Sequence, residues 1–119
     1  MCRESALIGS CFTVQGRALM SNGTPAFRIM WTGTKRILRV LPAEDEIVPA
    51  CLATAVTATS EVTGAFVVCP FSVAKEGHMQ MVCVQSVGEF IARKWSADKR
   101  AYVRAGRVPG CSLPSKGVR

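Results

Sequence analysis

Histidine occurs once in this 119-residue chain, at position 78, so any Cys–His nucleophile pair would have to use it. No apolar run approaches the roughly 20 residues that cross a bilayer as a helix, so no transmembrane segment is expected. None of the six cysteines (Cys2, Cys11, Cys51, Cys69, Cys83 and Cys111) forms a CxxC pair, which removes the usual zinc and thioredoxin-type spacings. Internal repeats are absent. Acidic residues are nearly missing from the end of the chain. From Arg93 to Arg119, eight cations (Arg93, Lys94, Lys99, Arg100, Arg104, Arg107, Lys116 and Arg119) face Asp98 alone. Seven cations meet seven acids before that point, so the formal net charge of +7 belongs to the tail and the body is neutral.

What is present favours strands. Half of the residues are apolar and 19% are charged, which argues against a disordered body. Residues 11–20 alternate, with Phe12, Val14, Ala18 and Met20 on one face and Thr13, Gln15 and Arg17 on the other. Gly16 falls mid-strand, where a bulge or sharp coil is expected. Asn22-Gly23 signals a hairpin, and Phe27, Ile29 and Trp31 share a face of the return strand. Thr32-Gly33-Thr34 is a second turn, and Lys35 to Leu41 a third strand. After the acidic loop Glu44-Asp45-Glu46, the alanines of Cys51 to Thr59 favour a helix and its threonines a strand, and the segment reads as a short helix or an irregular crossover. Glu61 to Phe71 reads as a strand. His78 to Ser86 is apolar on both faces at its centre, as a strand buried on two sides would be. Glu89 to Trp95 is a strand or a short helix. Ser96 can cap one helical turn, and beyond Ala105 the glycines and prolines predict irregular structure.

These elements predict an all-β fold: a small antiparallel barrel or sandwich of five to six strands, with the open Greek-key barrel of the oligonucleotide-binding kind as the specific candidate, and a basic C-terminal tail. The expected organisation is an N-terminal segment over 1–10, a β-rich domain over 11–95 and a basic, largely irregular tail over 96–119.

Few chemical constellations stand out. His78 on an extended strand would point toward Val82 and Val84, away from Met79 and Cys83, and reads as a surface residue. Met79, Met81 and Cys83 share a face that suits soft metals, but methionine on such a strand reads as core filling. Arg17, Arg28, Lys35, Arg36 and Arg39 lie near Phe12, Phe27 and Trp31, yet Arg28 opposes the aromatic face. Gly33-Thr34-Lys35 lacks the spacing of a phosphate loop. No catalytic, cofactor-binding or metal-binding residue is assigned, and no enzyme activity is expected. Arg93, Lys94, Lys99, Arg100, Arg104 and Arg107 are the candidate polyanion contacts, so nucleic acid is a conceivable partner of the tail and a protein partner is open. Ile8-Gly9-Ser10-Cys11 has the small residues of a lipoprotein processing site, but the apolar stretch before it is short and broken by Glu4, so no complete export signal is expected there.

Several short motifs then follow one another: Cys11-Phe12-Thr13-Val14-Gln15-Gly16-Arg17, Asn22-Gly23-Thr24-Pro25, Arg28-Ile29, Gly33-Thr34, Arg36-Ile37-Leu38, Gly64-Ala65-Phe66-Val67-Val68-Cys69-Pro70 and Met79-Gln80-Met81-Val82-Cys83-Val84. Over roughly residues 11–92 the chain resembles a family of small, exported, functionally uncharacterised bacterial proteins, mostly proteobacterial. It departs from the pattern at Trp31, one place late, and at Arg39, where glycine is expected. The resemblance implies an exported β-rich domain, periplasmic or envelope-associated, with no known activity. It also implies that a disulfide joins some pair among Cys11, Cys69 and Cys83, which fall within the motifs. The function expected is therefore a non-enzymatic binding or structural module outside the cytoplasm. The alternative is an intracellular nucleic-acid- or protein-binding module that uses the basic tail.

Overall fold

Strands β1 (Phe12–Met20), β2 (Phe27–Trp31) and β3 (Ile37–Val40) form the antiparallel meander that the alternation predicts, in a computed structural model that describes residues 8–20, 27–40 and 48–113. Val14 and Ala18 are fully buried while Thr13, Gln15 and Arg17 are exposed, so the period of two decides which face enters the core. At the second turn Gly33 takes φ 83°, a left-handed value that glycine adopts without strain. The Thr34 hydroxyl donates to the Trp31 carbonyl at 2.9 Å and accepts from the Arg36 N–H at 3.0 Å, which fixes the entry to β3. The Asn22-Gly23 turn and the acidic loop Glu44-Asp45-Glu46 lie outside the described residues.

A six-residue helix, α1 (Ala50–Ala55), leads into β4 (Ser60–Pro70) and β5 (Gln80–Val87). β4 pairs antiparallel with β1 from Phe12↔Val68 to Ala18↔Val62, and also with β5. β5 then runs parallel to β3 through Leu38↔Gln80 and Val40↔Val82. The ladder therefore closes in the order β1-β2-β3-β5-β4-β1, a five-stranded Greek-key barrel with a helix between its third and fourth strands. That is the oligonucleotide-binding topology. Val14, Ile29, Leu38, Val62, Phe66 and Val82 fill the interior, and Leu52 of α1 is buried in the same cluster. A helix this short does not hold itself, so Leu52 burial and the Ser60 hydroxyl, which donates to the Ala55 carbonyl at 2.6 Å, keep it in place. β5 is buried on two sides, as expected: Val82 and Val84 face the barrel, while Cys83 joins Cys69 and Leu113 in a second cluster.

Gly16 does not bulge. Its pairings with Trp31 and Gly64 continue the ladder on both edges, and the register shifts fall instead at Val67/Val68 and Ala92/Arg93. Glycine is required there for space. A Cβ at residue 16 would stand 2.7 Å from the Met30 carbonyl oxygen and 3.0 Å from Ile29 Cγ2. Backbone held in a ladder cannot retreat. Gly16→Ala should therefore destabilise the fold by about 2 kcal/mol, as overpacking does. Urea unfolding would check this, and an unchanged midpoint would show that β1 and β2 can separate locally.

Over its described residues, 96–113, the segment expected to be an irregular tail is mostly strand. β6 (Phe90–Ser96) and β7 (Ala101–Val108) form an antiparallel hairpin, and β8 (Cys111–Ser112) returns to pair with β5. Gly106 sits inside β7, while Pro109 and Gly110 only separate β7 from β8; the order comes from pairing with β6 and β5, which local propensity does not register. Ser96 does bond the Lys99 N–H, at 3.3 Å, but to close the hairpin loop rather than to start a helical turn. Arg100 ends that loop at φ 52°. Among the described residues five strands close the barrel, as expected, and three more extend the sheet beyond it.

Candidate functional site

The hairpin leaves the barrel along one edge of β4. Ser60↔Lys94 through Thr63↔Ile91 pair β4 with β6, while the other half of β4 pairs with β5. Because Val62 lies in the core, its partner Ala92 faces the core side of the sheet. Ile91, Arg93 and Trp95 therefore project from the outer side by the alternation of the strand. The register with β7 places Arg107 opposite Ile91, Arg104 opposite Arg93 and Tyr102 opposite Trp95. Three successive rungs on one face thus carry three arginines, an isoleucine and two aromatics.

The structure brings some of the candidate polyanion contacts together and separates others. Arg93, Arg104 and Arg107 share the outer face. Lys94, opposite Val103, lies on the reverse face, and Lys99 and Arg100 occupy the loop at the tip. Arg93 and Arg104 face each other directly, and among the described residues neither has an ion-pair partner. Glu61, next to Arg93 across the β4–β6 ladder, is directed to Arg17 at 3.8 Å. Arg107 meets Glu89 at 3.7 Å, with both side chains more than half exposed, a pairing worth little. Trp95 is 47% exposed, with its ring 5.4 Å from Tyr102 in an edge-on arrangement.

A second basic site lies at the end of the barrel where β3 and β5 begin. Phe12 stacks on Trp31 at 5.7 Å, and the Arg36 guanidinium covers the Trp31 ring at 4.6 Å. Arg36 also donates to Gln80 Oε1 at 2.7 Å. Beside them Lys35, Lys75 and His78 line an open groove of about 770 Å³. His78 belongs to the exposed turn before β5, bonded through its N–H to the Lys75 carbonyl at 3.0 Å, not to the strand expected for it.

Cys11 and Cys69 are joined in a disulfide, a pair within the set the motifs pointed to. This bond occupies the Cys11 sulfur and so overturns the lipoprotein-like reading of Cys11, because a lipid thioether needs the same atom. Cys83 is also disulfide-bonded, which removes it as a thiolate ligand beside Met79 and Met81. A further bridge, Cys51–Cys111, joins α1 to β8 and was missed. Among the described residues no cluster of three or more His, Cys, Asp or Glu side chains is arranged to hold a metal ion, and no helix is long and apolar enough to cross a membrane.

The fold and the bridges define a disulfide-stapled all-β barrel, and such bridges indicate an oxidising, non-cytoplasmic compartment. No protein-family model matches the chain, and no curated protein or solved structure is significantly similar to it.

Proposed function

We propose that the protein is a non-enzymatic binding module that works in the periplasm or against the cell envelope. The observation that carries this reading is the pair of long-range bridges. Cys11–Cys69 closes a separation of 58 residues and Cys51–Cys111 one of 60. Cys11–Cys69 ties the residue before β1 to β4, and Cys51–Cys111 ties two short elements, α1 and β8, to each other. A fold closed by two such bridges suits an exported protein. The exposed functional groups support binding rather than catalysis. They lie on an open strand surface and an open groove, and the one histidine has no described thiolate to activate because the described cysteines are oxidised.

The intracellular alternative draws support from the arginine face, which suits a polyanion, but a reducing compartment would open the staples. Intact mass of the protein from its native source, before and after reduction, decides between them. The expected result is two hydrogens gained per bridge on reduction, with the protein recovered in the envelope or periplasmic fraction. Free thiols in freshly isolated protein from the cytoplasmic fraction would overturn the proposal.

A further inference from the structure

We propose that the outer face of the β6–β7 ribbon is a docking surface for an anionic lipid bilayer. The inference rests on the envelope reading above and gives it a physical contact. Like charges placed directly opposite on a sheet repel, yet the ribbon holds Arg93 against Arg104, and Glu61, the anion on the neighbouring strand of that rung, is turned to Arg17. Such a pair is unfavourable in the free protein and becomes favourable when phosphate groups lie over it. Guanidinium groups bind phosphate oxygens bidentately and are weakly hydrated, so they desolvate readily at such a surface.

The rest of the face fits a membrane boundary. Rungs on the same side of a strand recur about every 7 Å, so the Arg93/Arg104 pair and the Trp95/Tyr102 pair are successive rungs of one face, and Arg107 continues it past the register shift at Ala92/Arg93. Tryptophan and tyrosine are the side chains enriched at the water–lipid boundary, where one end is apolar and the other polar. Ile91 adds apolar area, and Lys99 and Arg100 in the loop extend the positive field past the aromatics. A nucleic-acid strand fits less well. Single-strand binders offer successive open ring faces to successive bases, whereas here the two rings sit side by side on one rung at 73°, one edge against the other.

Each cation near an anionic surface strengthens binding about fivefold, and the attraction is lost beyond a Debye length. The test uses the full, oxidised chain and vesicles of phosphatidylglycerol mixed with phosphatidylcholine, with co-sedimentation as the readout. Binding should require phosphatidylglycerol, fall steeply with salt, and drop about thirtyfold in Arg93→Ala/Arg104→Ala. Arg93→Lys/Arg104→Lys, which keeps both charges, should retain most of it. Trp95→Phe should reduce the blue shift of tryptophan emission on binding, since only Trp31 then reports. No binding to the anionic vesicles, equal binding by the double alanine variant, or capture of a single-stranded oligonucleotide in preference to vesicles would overturn the proposal. The measurement is made on purified protein. Free thiols in the native protein would therefore refute the compartment while vesicle binding still upheld the docking face.

Discussion

Replacing Cys51 and Cys111 together with serine should lower the unfolding free energy by about 4 kcal/mol, the chain-entropy value for a loop of this size. The bridge closes a separation of 60 residues. Its partners have little else to hold them. α1 has six residues, no side-chain cap at its start, and Leu52 as its one fully buried side chain. β8 meets β5 through two register pairs, Ser86↔Ser112 and Val87↔Cys111. Without the sulfur link, α1 and β8 should open first, before the barrel. Amide exchange of residues 50–56 and 111–113 should therefore accelerate more than that of β1 or β4. Set against the roughly 5–15 kcal/mol by which domains of this kind are stable, the loss is large. Denaturant unfolding under non-oxidising and non-reducing conditions measures it. A change under about 1 kcal/mol would mean that Leu52 and Leu113 alone hold the barrel end shut. A loss of the expected size would tie the fold to an oxidising compartment more firmly than the sulfur bonds do by themselves.

The barrel was legible in the sequence because its information is local. Val14 and Val62 stand between polar neighbours, Ala18 and Ile29 each follow an arginine, and the two-sided apolar run around Val82 marks a strand with core on both faces. The hairpin β6–β7 was harder, because Gly106, Pro109 and Gly110 carry the local signal of a loop while the order comes from pairing across the Ser96–Ala101 turn. The six cations were visible as charges, but not as a face. Only the register sets Arg93 opposite Arg104 and sends Lys94 to the other side. One sequence signal was available: Ile91, Arg93 and Trp95 alternate on one side of the Asp98-Lys99 turn, and Tyr102 and Arg104 on the other. Disulfide pairing was illegible in principle, since six cysteines allow 15 connectivities and spacing does not choose among them. Cys51–Cys111 lay outside the motifs that directed attention to Cys11, Cys69 and Cys83.

Phe66→Ala should destabilise the barrel by about 4 kcal/mol, in the range for a buried phenylalanine truncated in a core. Phe66 is fully buried and belongs to the main cluster. It pairs with Val14 on one edge and Val87 on the other. The strand is thus laddered on both sides at this residue, and next to it the register shifts at Val67/Val68. A gap at such a point cannot close by moving a strand inward, because the hydrogen bonds of both neighbours would have to move with it. The cavity should therefore persist and the cost stay near the upper part of the range. Phe66→Leu keeps most of the volume and should recover more than half of the loss. Equal losses in the two variants would show that the interior collapses around the gap. The effect should also stay local. β6 leaves β4 at Ser60–Thr63, ahead of Phe66, and the arginine face is held by β4 backbone pairing rather than by the ring. Under conditions where Phe66→Ala remains folded, its binding to phosphatidylglycerol vesicles should match that of the parent protein. Loss of binding in the folded variant would mean that the ribbon takes its shape from the packed core and not from the β4 edge.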